Sequence, residues 1–188
     1  MITVWARLEL LTNLKLLGAV STCLIAVLGG SFTSAATAQR PRLTQEDLQN
    51  PERVIQVVKD PMNEKNQATA KELYQDALQR MAKKNWGSAG KSFGESALYY
   101  PTAKAFIGFA EAIAHISRRH DRTTKLRMLE GICNYLASAV AVDEIQKQLT
   151  LIETEQLKRE RDCISTFLAT QKPQADCKLL DIAFGKGD

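Results

Sequence analysis

The sequence predicts an all-α protein, and three observations support that prediction. Ala, Leu, Gln, Lys and Glu are abundant, whereas aromatic residues make up only 6% of the 188 residues, and this composition favours helices over sheets. Apolar side chains recur at helical spacing in several stretches, as in Leu73, Ala77 and Met81. Residues typical of helix starts and ends separate these stretches from one another.

The first 38 residues are excluded from the fold because they have the three parts of a secretory signal peptide. Arg7 and Lys15 supply positive charge, Leu16–Phe32 is the apolar run, and Ala36–Ala38 offers small residues at the cleavage spacing. We expect cleavage before Gln39 and export to the periplasm or the secreted space. The alternative is an uncleaved segment that anchors the protein in a membrane, although the apolar run is shorter than the about 20 residues that a span needs.

Residues 39–65 are predicted to form a tether followed by a short helix. The polar tether extends from Gln39 to Leu43. Asn50 is suited to cap the helix, because Pro51 fits the first helical position and Glu52 lies near the positive end of the helix dipole. The apolar side of this helix consists of Val54, Ile55, Val57 and Val58.

The stretch from Ala70 to Ala103 predicts two amphipathic helices joined by a tight turn. The first helix is capped by Asn66 and continues to about Lys84. The second extends from Trp86 to about Tyr99 and ends before Pro101. Its core-facing side consists of Ala89, Phe93 and Ala97.

The spacing of Ala89, Phe93 and Pro101 resembles the second half of a tetratricopeptide repeat, a helical hairpin of about 34 residues. The first half of that pattern falls on Leu73, Asp76, Ala77 and Arg80, of which Asp76 and Arg80 depart from it. The resemblance implies antiparallel hairpins over residues 66–143, stacked as a short right-handed α-solenoid. The alternative is a generic helical hairpin whose residues match the pattern by chance.

The next segments predict a second, degenerate repeat. Residues 102–118 form an apolar helix that we expect to be sandwiched between neighbours, and Asp121 is suited to cap the helix after it. A shift of 42 residues aligns Gly131, Tyr135 and Asp143 with the repeat positions, which implies an insertion of about eight residues around 118–125.

Residues 144–188 are predicted to be a long helix followed by a capping helix. Asp143 and Glu144 start the long helix, which continues to about Ala169. It carries Ile145, Leu149, Ile152, Ile164 and Leu168 near one face. The short amphipathic helix from Gln174 to Phe184 ends at Gly185, and we expect it to cover the open end of the stack.

If the protein is exported, its cysteines can form a disulfide, because an oxidising compartment permits such bonds. After cleavage Cys133, Cys163 and Cys177 remain. A bridge between Cys163 and Cys177 would tie the last helix to the long one and contribute about 3 kcal/mol. Cys133 is predicted to be a buried free thiol.

The sequence predicts no catalytic residue, cofactor or metal, and therefore a non-enzymatic protein. His115 and His120 lie five residues apart, about 140 degrees around a helix, so they do not readily share a metal. The chain has no Gly-rich phosphate loop, G-x-S-x-G elbow, H-E-x-x-H or Cys-x2-Cys. The net charge of +4 does not point to nucleic acid.

The resemblance also implies a concave groove lined by the first helix of each hairpin. Its predicted partner-binding residues are Lys71, Tyr74, Leu78, Met81, Ala112 and His115. Because these side chains are mostly apolar or small, we expect a protein or peptide partner in the cell envelope. The alternative is a carrier whose apolar cavity lies among Phe106, Phe109, Tyr135 and Phe167.

A basic cluster is the densest run of like charge in the mature chain. It consists of Arg118, Arg119, Arg122, Lys125 and Arg127. Such a cluster is typical of a solvated loop between helices, and the alternative is a site for an acidic peptide, a lipid head group or an anionic polymer.

Overall fold

A computed structural model describes residues 40–172 and 174–185, all within one compact unit of residues 35–188. The predicted signal peptide lies outside the described residues. The helices are α1 (Pro51–Val58), α2 (Gln67–Ala82), α3 (Trp86–Tyr99), α4 (Ala103–Ser117), α5 (Arg122–Gln146), α6 (Leu151–Thr170) and α7 (Lys178–Phe184). No strand occurs in the described part, so the all-α prediction is confirmed.

The N-terminal segment packs on the body of the protein. The Asn50 side chain accepts hydrogen bonds from the backbone N–H groups of Glu52 and Arg53, which confirms the predicted cap. Helix α1 lies against α5. Leu43, which we assigned to the tether, is buried in the hydrophobic core, because the chain begins to pack before α1 starts.

Helices α2 and α3 form the predicted antiparallel hairpin. The Ser92 hydroxyl donates to Asp76 Oδ2 (2.6 Å), and the Ser96 hydroxyl donates to the Ala70 carbonyl (2.8 Å). Because a residue near the start of α2 contacts a residue near the end of α3, the two helices run in opposite directions. The predicted core side of α3 is buried, and it consists of Ala89, Phe93 and Ala97.

Asn66 precedes α2 as predicted, but its side chain does not cap the helix. A 3₁₀ turn over Pro61–Asn66 leads directly into α2, and this buries the Asn66 amide. Asn66 Nδ2 lies 3.5 Å from Asn63 Oδ1, a buried neighbour in the same turn. The Asn66 side chain is therefore part of the 3₁₀ turn and does not cap α2.

Helix α4 is sandwiched as predicted, because α3, α5 and α7 all pack against it. Gly108 of α4 lies directly against the Phe93 ring of α3. A Cβ atom at this position would lie 2.6 Å from two ring atoms of the buried Phe93. Glycine at 108 therefore makes room for the Phe93 ring.

The predicted start of the long helix at Asp143 and Glu144 is wrong. Asp143 lies in the last turn of α5 and is buried, with Oδ1 accepting from Leu149 N (2.9 Å) and Oδ2 from the Thr154 hydroxyl (2.8 Å). Lys147 ends α5 in the left-handed conformation. The predicted boundary between residues 143 and 144 therefore falls inside a helix.

Helix α6 begins instead at a capping box, in which Thr150 and Glu153 satisfy each other's backbone N–H groups. Ile152, which we expected on the apolar face, is 72% exposed. That expectation assumed one continuous helix from Asp143. Because the chain breaks after α5, the helical register of α6 is different and Ile152 does not lie on the buried face.

The disulfide between Cys163 and Cys177 is present and joins α6 to the start of α7. Gly185 ends α7 in the left-handed conformation, as predicted. The position of α7 differs from the expectation that it covers the open end of the stack. It packs mainly on α4, in the middle of the helix order, and to a smaller extent on α6.

Candidate functional site: a groove between α2, α4 and α6

A cavity of about 700 Å³ lies between three helices that are not adjacent in the chain. We call it the α2–α4–α6 groove. Its principal lining side chains are Tyr74, Leu78 and Met81 from α2, Ile107 and Gly108 from α4, and Leu157 from α6.

The floor of the groove is apolar and partly open to solvent. Leu78 is 41% exposed, while Tyr74, Met81 and Ile107 are half-buried. The Tyr74 ring meets the Phe93 ring edge to face, with 5.6 Å between centroids. Burial raises the pKa of Tyr74, so the phenol is neutral at physiological pH. The groove therefore offers exposed apolar surface on a firmly packed base.

Charged side chains at one rim are engaged with one another. Lys178 Nζ lies 3.0 Å from Glu111 Oε1, and Arg159 Nη2 lies 3.1 Å from Glu155 Oε2. Glu160 accepts hydrogen bonds from the first backbone N–H groups of α7. Because opposite charges are paired at this rim, the groove's distinguishing feature is its apolar floor.

The start of α7 closes one end of the groove. Asp176, Lys178 and Leu179 belong to its lining. Cys177 provides no side-chain cap for α7, and Glu160 of α6 takes that role with Oε1 2.8 Å from Lys178 N and Oε2 3.1 Å from Leu179 N. Sequence reasoning missed this cap, because nothing local to α7 identifies a residue 18 positions upstream as its partner.

The structure brings together three of the six predicted groove residues, Tyr74, Leu78 and Met81. Lys71 lines a neighbouring cavity of about 660 Å³, near the start of α2.

Ala112 and His115 are directed towards α3, so their predicted place in the groove is wrong. Ala112 is buried beside Gly90 of α3, and the His115 ring stacks on Trp86 with 3.7 Å between centroids. Helix α4 contributes Ile107 and Glu111 to the groove in their place. The face of α4 could not be chosen from periodicity, because this helix is apolar around most of its circumference.

The basic cluster is only partly a loop. Arg118 and Arg119 lie in the connection before α5, whereas Arg122, Lys125 and Arg127 lie in the first turns of α5. The residues of the predicted insertion therefore lie partly in a connection and partly in α5. The Lys125 ammonium lies 5.2 Å from the centroid of the Phe184 ring, and Arg122 Nη2 lies 3.3 Å from Gln171 Oε1.

The four aromatic side chains predicted for a carrier cavity are part of the packed core. Phe106, Phe109, Tyr135 and Phe167 are all buried. The rings of Phe109 and Tyr135 are in contact, with centroids 4.7 Å apart. Neither these two residues nor Phe106 lines the groove or the neighbouring cavity.

Cys133 is a free thiol, as predicted, but it is half-buried rather than buried, with Sγ 3.9 Å from the Arg161 carbonyl oxygen. Burial raises its pKa, which keeps the sulfur protonated and weakly nucleophilic at neutral pH.

Across the described ranges, no helix is both long and apolar enough to cross a bilayer. No group of three or more His, Cys, Asp or Glu side chains is placed to hold a metal ion there. Comparison of the chain with protein-family models, curated proteins and solved structures finds no match. The functional proposal for this chain therefore depends on the geometry of the groove.

Proposed function

We propose that this protein is an exported, non-enzymatic interaction module that binds a partner polypeptide in the α2–α4–α6 groove. The supporting observation is that three separate helices contribute accessible apolar side chains to one concave surface. Apolar surface left in water carries a free-energy cost that burial against a partner removes. Concave apolar surfaces of this kind are typical binding sites.

We also propose that the helices form a short right-handed solenoid of the tetratricopeptide type. In this arrangement, α2 and α4 are the first helices of two successive hairpins. Helix α6 takes the place of the first helix of a third hairpin. All three contribute to the groove. This matches the arrangement that the repeat resemblance implies, in which first helices line the concave side.

The partner segment should present an apolar face with few charges. Leu78, Met81 and Ile107 supply the surface to be buried. Three basic and four acidic side chains line the groove, so little net charge is available to attract a strongly charged segment. The partner would lie in the cell envelope or the secreted space, a location that the predicted signal peptide and the disulfide support.

The test is the substitution Leu78→Glu, compared with the matched control Leu151→Glu. Both replace a leucine on a helix surface, but Leu151 is 87% exposed and does not line the groove. An ionised carboxylate on the groove floor would have to be desolvated on binding. We expect Leu78→Glu to lower the yield of specific partners captured from an envelope extract at least tenfold, while Leu151→Glu retains them. Equal retention by both variants would refute the proposal.

A second candidate function is a small-molecule or lipid carrier. The volume of about 700 Å³ favours it, because pockets for small ligands measure roughly 300–1,000 Å³. Native mass spectrometry after gentle purification distinguishes the two functions. A carrier would retain a ligand of discrete mass, and the Leu78→Glu variant would lose it.

A further inference from the structure

We infer that α7 is an internal occupant of the concave side of the protein, and that the Cys163–Cys177 disulfide controls its docking. Reduction would release α7 and extend the groove along α4. This inference rests on the proposed function for its biological meaning, but the release of α7 can be measured without any partner.

Helix α7 follows the second half of α4. Lys178 at its start pairs with Glu111, and Gly185 at its end lies beside the Arg118 guanidinium. In its first half, α4 lines the open groove with Lys104, Ile107, Gly108 and Glu111, so the two halves of this helix have different neighbours. The first half faces the cavity, and the second half is covered by α7.

The contact between α7 and its surroundings is that of a docked amphipathic helix. Its buried side chains are Leu179, Leu180, Ile182 and Ala183. A helix of seven residues is not stable alone in water, so its folding depends on this docking.

Two links hold the start of α7 to α6. One is the disulfide, and the other is the pair of hydrogen bonds that Glu160 accepts from the backbone of Lys178 and Leu179. The disulfide is the covalent one. With a sequence separation of 14 residues, its loss is expected to lower the ratio of docked to released α7 by roughly 100-fold.

The release step is a thiol–disulfide exchange with a dithiol reductant. One thiolate of the reductant attacks Cys163 Sγ, because Cys163 is half-buried whereas Cys177 is fully buried. The S–S bond breaks, and Cys177 leaves as a thiolate that takes up a proton. The second thiol of the reductant then attacks the mixed disulfide. Two electrons pass to the chain, which gains two thiols, and the reductant becomes a disulfide.

Release would lengthen the available surface. Without α7, the groove no longer ends at Asp176 and Leu179, and the side of α4 that packs on α7 becomes accessible. A partner segment could then occupy the whole length of α4. The oxidised protein would hold a short segment, and the reduced protein a longer one.

The experiment compares amide hydrogen exchange of the full exported chain before and after treatment with excess dithiothreitol, without a partner. A Cys133→Ser background removes the third thiol, and a variant with Cys163→Ser and Cys177→Ser provides a permanently reduced form. We expect exchange at residues 181–185 to rise by about 100-fold on reduction, while α2 and α3 change less than twofold. The double serine variant should behave like the reduced chain.

Unchanged exchange in α7, or an equal rise throughout α2–α5, would overturn the inference. Glu160→Gln with the disulfide intact gives a second comparison, because it weakens the cap and leaves the covalent link. It should raise the exchange of α7 less than reduction does, and an equal or larger rise would contradict control by the disulfide. If α7 is released but neither redox state captures a partner, the proposed function fails while the redox release stands.

Discussion

Replacing Gly108 with alanine tests how closely α3 and α4 approach at the base of the groove. A Cβ atom at residue 108 would lie 2.6 Å from Cε1 and Cζ of Phe93 and 2.9 Å from its Cδ1. The Phe93 side chain is 1% exposed, so its ring has little space into which to move. We therefore expect Gly108→Ala to force the two helices or the ring apart.

The matched control is Gly90→Ala, which makes the same chemical change in the neighbouring helix. There the new Cβ would lie 3.5 Å from Ala112 Cβ, an ordinary contact. Alanine has a helix propensity about 1 kcal/mol more favourable than glycine, and both variants gain it. The difference between the two variants therefore isolates the steric effect, which is about 1–3 kcal/mol for an overpacked core.

Urea unfolding, followed by circular dichroism, measures both variants. We expect Gly90→Ala to be more stable than the parent by up to about 1 kcal/mol, and Gly108→Ala to be less stable than Gly90→Ala by about 2 kcal/mol. For a domain of this size, that difference corresponds to roughly 4–8 °C in the melting temperature. If the two variants are equally stable, the close approach of α3 and α4 at Gly108 is wrong.

Three further predictions concern stability and reactivity. Asp143→Ala should cost about 2–3 kcal/mol in urea unfolding because two hydrogen bonds to a buried carboxylate are lost, whereas Glu144→Ala, on the exposed side, should change stability by less than about 0.5 kcal/mol. Hydrogen bonds from Arg80 and then Ser92 lower the pKa of Asp76. Its stabilising contribution is therefore present above the unfolded-state pKa and is lost as pH falls through the lower folded-state pKa. The stability lost on Asp76→Asn at pH 7 should thus shrink at pH 3, and a constant difference would contradict this. Cys133 in the folded protein should react with iodoacetamide at pH 8 at least tenfold more slowly than in urea, because burial raises its pKa.

The hairpin of α2 and α3 could be predicted from sequence because its signals are local. Asn85 caps α3 through its side chain, Pro101 follows its end, and small Ala89 and large Phe93 recur on one face. Such features act within a few residues of where they occur. The Cys163–Cys177 bridge was likewise predictable, because the two cysteines lie on either side of one short connection.

The junction of α5 and α6 was missed because two signals competed. Asp143 has the residue type of a helix start, but its carboxylate is used in the tertiary structure. The capping box at Thr150 and Glu153 was readable from the sequence and marks the true start. Lys147 ends α5 in a left-handed conformation that is uncommon for lysine, and no sequence rule indicated it.

The groove was predictable only in its α2 half. Helix α2 has one broad apolar side, and its residues Tyr74, Leu78 and Met81 line one cavity, while their role in partner binding stays a prediction. The contributions of α4, α6 and α7 depend on how the helices pack across the chain. No local pattern specifies that Glu160 caps α7, or that α7 packs on α4.

Photo-crosslinking in the producing cells tests the binding role of the groove most directly. A photoreactive residue replaces Leu78 in one version of the full chain and Leu151 in the other. We predict a discrete, heavier adduct with another protein from position 78 and none from position 151. Adducts from position 151 with none from position 78 would show that the α2–α4–α6 groove is not the binding surface.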